Sequence, residues 1–441
     1  MAKYQAYAEY KDSGVEWLGE IPSHWDLRKF KHHFRSAMGE TILGADLIED
    51  GKLPVYSATE GDHFFGYVNS SSVVLEKGDF VIPARGNSIG FPKLVVTTST
   101  CSQTTIYAKM HKKIHSKFTF YYLLGCKPYL FQFVQTAIPQ ITVEEVKNNH
   151  LVHPSLEEQI QIANFLDHET AKIDHLIEKQ QQLIELLKEK RQAVISHAVT
   201  KGLDPNVPMK DSGVEWLGEV PEHWDIKKIK YLGSILNGYA FPSDGFTEEG
   251  IKVLKISNIQ TMYLDWTDLS FVNENQAKKL EQFLVKKGDL VFALTRPIIS
   301  TGIKATLMDL DEKILLNQRN AILRPNGLCI QKWLYYMILN QNFVQEFNNQ
   351  IDKTGQQPNI STVAIGNLEI SVAPIEEQIK IVEFIAEKVE RIDDLIKKAE
   401  SAIQLMQERR TALISAAVTG KIDVRNWQAP TVADAHTELS A

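Results

Sequence analysis

The sequence predicts an α+β protein built as a tandem repeat: two compact mixed domains, each followed by a long α-helix. The two helices pair as an antiparallel coiled coil about an approximate internal twofold axis. Three observations carry this expectation. First, Lys11–Lys31 (KDSGVEWLGEIPSHWDLRKFK) and Lys210–Lys230 (KDSGVEWLGEVPEHWDIKKIK) agree at 16 of 21 positions, so one frame is written twice. Second, Pro154–Lys201 recurs as Pro374–Gly420, its apolar positions displaced by 219 residues (381 against 162). Third, the stretches between these blocks barely resemble each other.

Each half begins with the tryptophan box. Trp17, Trp25, Trp216 and Trp224 recur although the inserts that follow diverge. Residues common to two unlike surfaces suit packing better than readout, so they are expected to tie each domain to the helix ends. The inserts come next, with short β-branched and aromatic runs at Ser72–Leu75, Asp79–Pro83, Leu94–Thr98 and Thr104–Ala108. Counterparts in the second half are Lys252–Ile256, Asp289–Leu294 and Ala321–Arg324. Gly, Pro and Asn punctuate these runs, as strands joined by turns require. Helical stretches follow around Lys117–Phe133 and Ile330–Asn348. A faint common skeleton survives. LEKGDF (Leu75–Phe80) matches VKKGDL (Val285–Leu290), each followed by an arginine, Arg85 or Arg296, and Pro139-Gln140-Ile141 matches Pro358-Asn359-Ile360.

The long blocks close each half. Ile162, Leu166, Ile173, Ile177, Ile184, Leu187, Val194 and Ala198 fall at steps of three, four or seven. Their counterparts Ile381, Ile385, Ile392, Ile396, Ile403, Met406, Leu413 and Ala417 are apolar throughout. That is a narrow seam needing a partner, and the other copy is the obvious one. Gly202 and Gly420 stand where a helix ends. At about 1.5 Å per residue, each block makes a rod of roughly 65–70 Å. The expected boundaries are 1–154 and 202–373 for the mixed domains, 155–201 and 374–420 for the helices, and 421–441 for a C-terminal tail that is polar and frayed over Asn426–Ala441.

Composition narrows the class. Hydrophobic content of 44% and charged content of 23% are those of a globular chain, and a formal charge of −7 permits nucleic-acid binding without demanding it. No apolar run approaches a membrane span, the start lacks the layout of a secretory signal, and Cys101, Cys126 and Cys329 form no close pair; cytoplasmic residence is expected. No catalytic constellation stands out. Gly51-Lys52 runs into Leu53 and Gly420-Lys421 into Ile422, so neither is a phosphate loop. There is no HExxH, CxxC or GxGxxG, and no Asn/Asp-Pro-Pro-Tyr/Phe of adenine methyltransferases. Asp311-Glu312-Lys313 reads as turn charges, and His32-His33 and His111/His115 as solvated polar residues, so no metal and no cofactor are expected in this chain.

The span ISHAVTKGLDPNVPMKDSGVEWLGEVPEHW (Ile195–Trp224), the IPSHW and VPEHW boxes, the LEEQI/IEEQI helix starts and the AVTKG/AVTGK helix ends together resemble the specificity subunit of type I restriction–modification systems. The likeness runs from about Tyr10 to Arg425. It implies two target-recognition domains separated by the long antiparallel helices, and a non-catalytic subunit that reads a bipartite DNA site with a non-specific spacer. It also implies two modification (methyltransferase) subunits and two restriction (endonuclease/translocase) subunits as partners, with S-adenosylmethionine, ATP and Mg2+ used there. The competing reading is a structural or interaction protein, two modules on a coiled-coil spacer with no DNA role.

Base readout favours Arg for guanine, Asn or Gln for adenine and small hydroxyls elsewhere. In the first insert the candidates are Arg85, Asn87, Ser88, Lys93, Gln103 and Gln140; in the second they are Thr295, Arg296, Lys304, Gln318, Arg319, Gln356, Gln357 and Asn359. The residues opening the helical blocks (Glu157, Glu158 and Gln159; Glu376, Glu377 and Gln378) are candidates for docking partner subunits, and their four glutamates suit the helix dipole.

Overall fold

The computed structural model describes residues 4–61, 63–131 and 139–429. It divides into two compact units, Met1–Gln181 with Ser401–Ala441, and Gln182–Glu400.

In the first unit the duplicated frame forms a hairpin, Tyr10–Asp12 against Glu20–Pro22, and a strand, Asp26–Lys29, that pairs antiparallel with His150–His153. The insert therefore leaves from, and returns to, one two-stranded ribbon. Its main sheet runs in the order Phe34–Met38, Thr105–Met110, Phe80–Pro83, Lys93–Leu94. A second sheet joins Gly66–Val68, Leu53–Tyr56 and Thr100–Cys101. The second unit repeats the plan. Met209–Asp211 pairs with Glu219–Pro221, Asp225–Lys228 with Glu369–Val372, and the main sheet runs Gly233–Asn237, Asn320–Pro325, Leu290–Ala293, Ala305–Leu307. Its second sheet has four strands, Phe271–Val272, Ile251–Leu254, Ile314–Leu316 and Leu284–Val285.

Three local expectations are corrected. Ser72–Leu75 makes only an isolated bridge, Leu75 to Ser99, because the Ser71 hydroxyl turns the chain by binding the carbonyl of Val73 and the carboxylate of Glu40. The stretch around Ile330–Asn348 is two helices, Gln331–Ile338 and Gln341–Asn349: Asn340 accepts from the N–H groups of Asn342 and Phe343, capping a new start. Lys117–Phe133 is likewise Ser116–Gly125 then Lys127–Leu130, and Gln132 and Phe133 lie outside the described residues, as does 430–441 of the expected tail.

The long helices span Leu156–Lys201 and Ile375–Val418. Both end at a glycine in the left-handed region, Gly202 (φ +77°) and Gly420 (φ +73°). In the first unit, residues 156–181 pack against 401–418, where Arg410 grips Asp174 at 2.8 Å; in the second, 182–201 pack against 375–400, where Arg191 meets Asp393 at 2.8 Å. In each unit the start of one helix lies beside the end of the other, so the pairing is antiparallel. Seam side chains are buried at Ile162, Leu166, Ile173, Ile184, Leu187, Ile381, Ile385, Ile392, Ile396 and Leu413, and half-buried at Ile177, Val194, Ile403 and Met406.

Candidate nucleic-acid interface

The tryptophan boxes plug the helix junctions. Trp25 and Trp224 are fully buried. An ideal Cβ on Gly420 would lie 3.2 Å from the Trp25 ring, and one on Gly202 would lie 3.4 Å from the Trp224 ring. Pro22 would lie nearer still to the Cβ on Gly420, at 2.4 Å, so the box packs directly on that helix terminus, while at Gly202 the indole sits at contact distance. Glu158 and Glu377 hold the box from the other helix. Glu158 accepts from Tyr7 (2.7 Å) and bonds His24 (3.0 Å); Glu377 bonds His223 (2.7 Å) and accepts from the Trp224 indole (3.1 Å). Burial and the Glu158 bond push the Tyr7 phenol far above its ordinary value, so it donates at every ordinary pH. The next residue clamps the insert. Gln159 accepts from His115 N–H and donates to the Pro154 carbonyl, while Gln378 accepts from Ile330 N–H and donates to Ala373. Glu158, Gln159 and Gln378 are therefore spent inside the unit, whereas Glu157 and Glu376 are exposed. Trp17 stacks on Tyr129 (5.0 Å, 5°) and Trp216 meets Phe343 edge-on (5.5 Å).

On this base each insert gathers three loops. In the first unit Ala84 donates to the Thr104 carbonyl and receives a bond from Ile141 N–H. The segments bearing Arg85, Gln103 and Gln140 are thereby stitched together. In the second, Leu294 donates to the Arg319 carbonyl and receives from Ile360 N–H, joining Thr295, Arg296, Gln318, Arg319 and Asn359. The registers match: Phe80 faces Ala108 as Leu290 faces Leu323. Arg85 is thus equivalent to Thr295, and Arg296 to Gly86, one place off the pairing of arginines that the sequences suggest. Close backbone approach fixes both clusters. A Cβ on Gly39 would fall 2.2 Å from the Ser102 carbonyl oxygen, and one on Gly238 would fall 2.2 Å from that of Asn317.

Exposure divides the candidates. Arg85, Asn87, Arg296, Gln318, Arg319, Gln356, Gln357 and Asn359 are exposed, and Gln140 is half-buried. Gln103 accepts from Ile42 N–H, and Ser88 donates to the Ala58 carbonyl. Thr295 is buried and donates to Asn359 Oδ1 at 3.1 Å. Lys93 and Lys304 are buried too, their ammonium groups bonded to the carbonyls of Thr59 and Ile256; desolvation lowers the Lys304 pKa. Nothing in a sequence distinguishes such a lysine from a surface cation.

Of the four histidines, His32 and His111 are exposed as expected, while His33 and His115 are not. His33 is buried, stacked 4.9 Å from His153, and His115 caps Ser116–Gly125 by accepting from Phe118 N–H. The three cysteines are buried, which raises their thiol pKa values. Among the described residues no group of three His, Cys, Asp or Glu is placed to hold a metal, and no helix is long and apolar enough to cross a membrane.

One frame thus repeats around two unlike loop clusters, one in each unit. Comparison with known proteins agrees: residues 22–186 and 221–405 each match the type I restriction modification DNA specificity domain. The chain belongs to this family, that of the specificity subunits of type I restriction–modification systems. It is 29% identical over 366 residues to the type I restriction enzyme MjaVIII specificity subunit of Methanocaldococcus jannaschii, covering 82% of this chain and 83% of that one. In fold it resembles a chain solved in a study of complex assembly and conformational transition of the type I R-M system (TM-score 0.69, 14% identity, 90% of this chain and 98% of that one). It also resembles the HsdS subunit from Thermoanaerobacter tengcongensis (TM-score 0.52, 14% identity, 91% and 98%). At such identities these likenesses concern the fold alone.

Proposed function

We propose that this specificity subunit is a non-catalytic reader of a bipartite, asymmetric DNA sequence. Residues 1–154 and 202–373 are its target-recognition domains, and the long helices (155–201 and 374–420) set the length of the unread spacer. Half-sites read from one face of a duplex lie about one helical turn, 34–36 Å, apart, a separation that paired helices hold better than a flexible linker. The partners are double-stranded DNA, two modification subunits and two restriction subunits. S-adenosylmethionine, ATP and Mg2+ serve those partners, and the assembly works in the cytoplasm.

The observation that carries the reading is the contrast between the repeated frame and the loops it presents. Matching boxes and buried clamps support clusters whose solvent-facing side chains differ: Arg85, Asn87 and the half-buried Gln140 in one, Arg296, Gln318, Arg319, Gln356, Gln357 and Asn359 in the other. Two different surfaces on one scaffold suit two different half-sites. Ser88, Lys93, Gln103, Thr295 and Lys304 shape these loops from within. The test is selection from a randomised duplex library by the subunit assembled with its methyltransferase partners. Enrichment of two fixed half-sites at one spacing is expected. A complex that enriches no sequence refutes the reading, and a spacing unaltered when both helices lose the same turn refutes the role given to them.

A further inference from the structure

Among the described residues two that are not glycine adopt positive φ, Met262 (φ 76°) and Arg296 (φ 47°). An L side chain is strained in that region, and such strain persists only where the surroundings impose it. Met262 is offset by packing, since its side chain lies against the core of the second unit. Arg296 is exposed, and among the described residues no hydrogen bond, ion pair or ring contact of its side chain offsets the strain. Its backbone is imposed from both sides: its N–H donates to the Pro358 carbonyl at 2.8 Å, and Pro297 follows, its carbonyl taken by Lys304 N–H at 2.7 Å. The equivalent residue of the first unit is Gly86, with φ +83° and nothing within 4 Å of an added Cβ. Glycine is therefore the undemanding residue for this turn, and the second unit carries a guanidinium there instead.

That guanidinium has no ion-pair or hydrogen-bond partner among the described residues. The arginines at 28, 191, 324, 391, 410 and 425 are ion-paired. Arg35, Arg85, Arg296, Arg319 and Arg409 are not, and of these Arg85, Arg296 and Arg319 stand in the loop clusters while Arg35 lies in a strand and Arg409 in a long helix. A weakly hydrated planar fork loses less freedom per hydrogen bond formed than a lysine, its backbone here is already held, and it matches two acceptors in a plane. In duplex DNA that pattern is the N7 and O6 edge of guanine in the major groove. We propose that Arg296 is the guanine reader of the second half-site, and that the first half-site has no base contact from the equivalent position, where Gly86 stands. This rests on the DNA-reading function proposed above.

The test uses the full chain in its assembled complex, with wild type, Arg296→Gly and Arg296→Lys each given a randomised duplex library and each melted. Arg296→Gly restores the residue of the first unit, so it is expected to melt at or above wild type. It loses preference for one G·C pair in one half-site by roughly 10- to 100-fold and leaves the other half-site unchanged. Arg296→Lys keeps the charge without the fork and loses part of that preference. An unchanged selected sequence overturns the inference, as does affinity lost equally for all sequences, which marks a phosphate contact. A markedly lower melting temperature for Arg296→Gly overturns it by making the side chain structural. If wild type itself selects nothing, the DNA-reading function fails with it, an outcome distinct from the other three.

Discussion

Trp25 and Trp224 occupy equivalent places, yet replacing each by phenylalanine should have unequal effects. Both rings are fully buried, so either change removes indole volume at a cost of about 1–2 kcal/mol. Trp224 also donates from its indole nitrogen to Glu377 at 3.1 Å, a bond to a carboxylate worth about 1.5–3 kcal/mol. The Trp25 indole nitrogen is buried with no partner among the described residues, so Trp25→Phe forfeits no such bond. Trp224→Phe should therefore cost about 1.5–3 kcal/mol more than Trp25→Phe. For units of this size, that is a difference of roughly 3–12 °C in melting temperature. Calorimetry and urea unfolding of both variants measure it. Equal losses, or a larger loss for Trp25→Phe, would refute the assignment of Glu377 as the indole's acceptor and leave packing as the whole of the box.

Gln378→Ala strips a buried side chain from Ile330 N–H and the Ala373 carbonyl, leaving both unpaired; thermal unfolding should show a loss of about 2–3 kcal/mol. Gly238→Ala would set a Cβ on the Asn317 carbonyl and push apart the strands beneath Gln318 and Arg319. It should cost about 2–3 kcal/mol and blur one half-site in a library selection while sparing the other. Burial holds the His33 imidazole at about 4, with His153 lowered for the same reason. The unfolded chain binds a proton near the ordinary value of about 6.5, so stability is whole above that pH and drains as pH falls toward the folded value. His33→Phe should flatten that slope, read as urea midpoints at about pH 7 and about pH 5.

The parts that were legible in the sequence are those governed by period and repetition. The seam from Ile162 to Leu413, the stops at Gly202 and Gly420, and the packing role of Trp25 and Trp224 follow from spacing and from occurring twice. The loop clusters were legible only in composition. Their shape comes from contacts distant in sequence, such as Gln103 with Ile42 and Gly238 with Asn317, which no local pattern encodes. The same limit explains Lys93 and Lys304, whose ammonium groups serve carbonyls 34 and 48 residues away. The burial of His33 has the same origin, since the ring stacked on it is His153, on the strand that closes the insert.

The first unit is stitched from two ends of the chain: Asp423 N–H bonds the Gln5 carbonyl, Lys421 reaches Glu20, and Gln161 holds Trp427. The second unit is one continuous stretch, Gln182–Glu400. During synthesis the residues that complete the second unit emerge together, whereas the first waits for some 220 more residues, roughly 10–40 s of translation. Through that interval Ile162, Leu166 and Trp25 lack their cover. The half made first on the ribosome is finished last, and a nascent chain stalled before Ser401 leaves a greasy, chaperone-seeking face on its amino-terminal half.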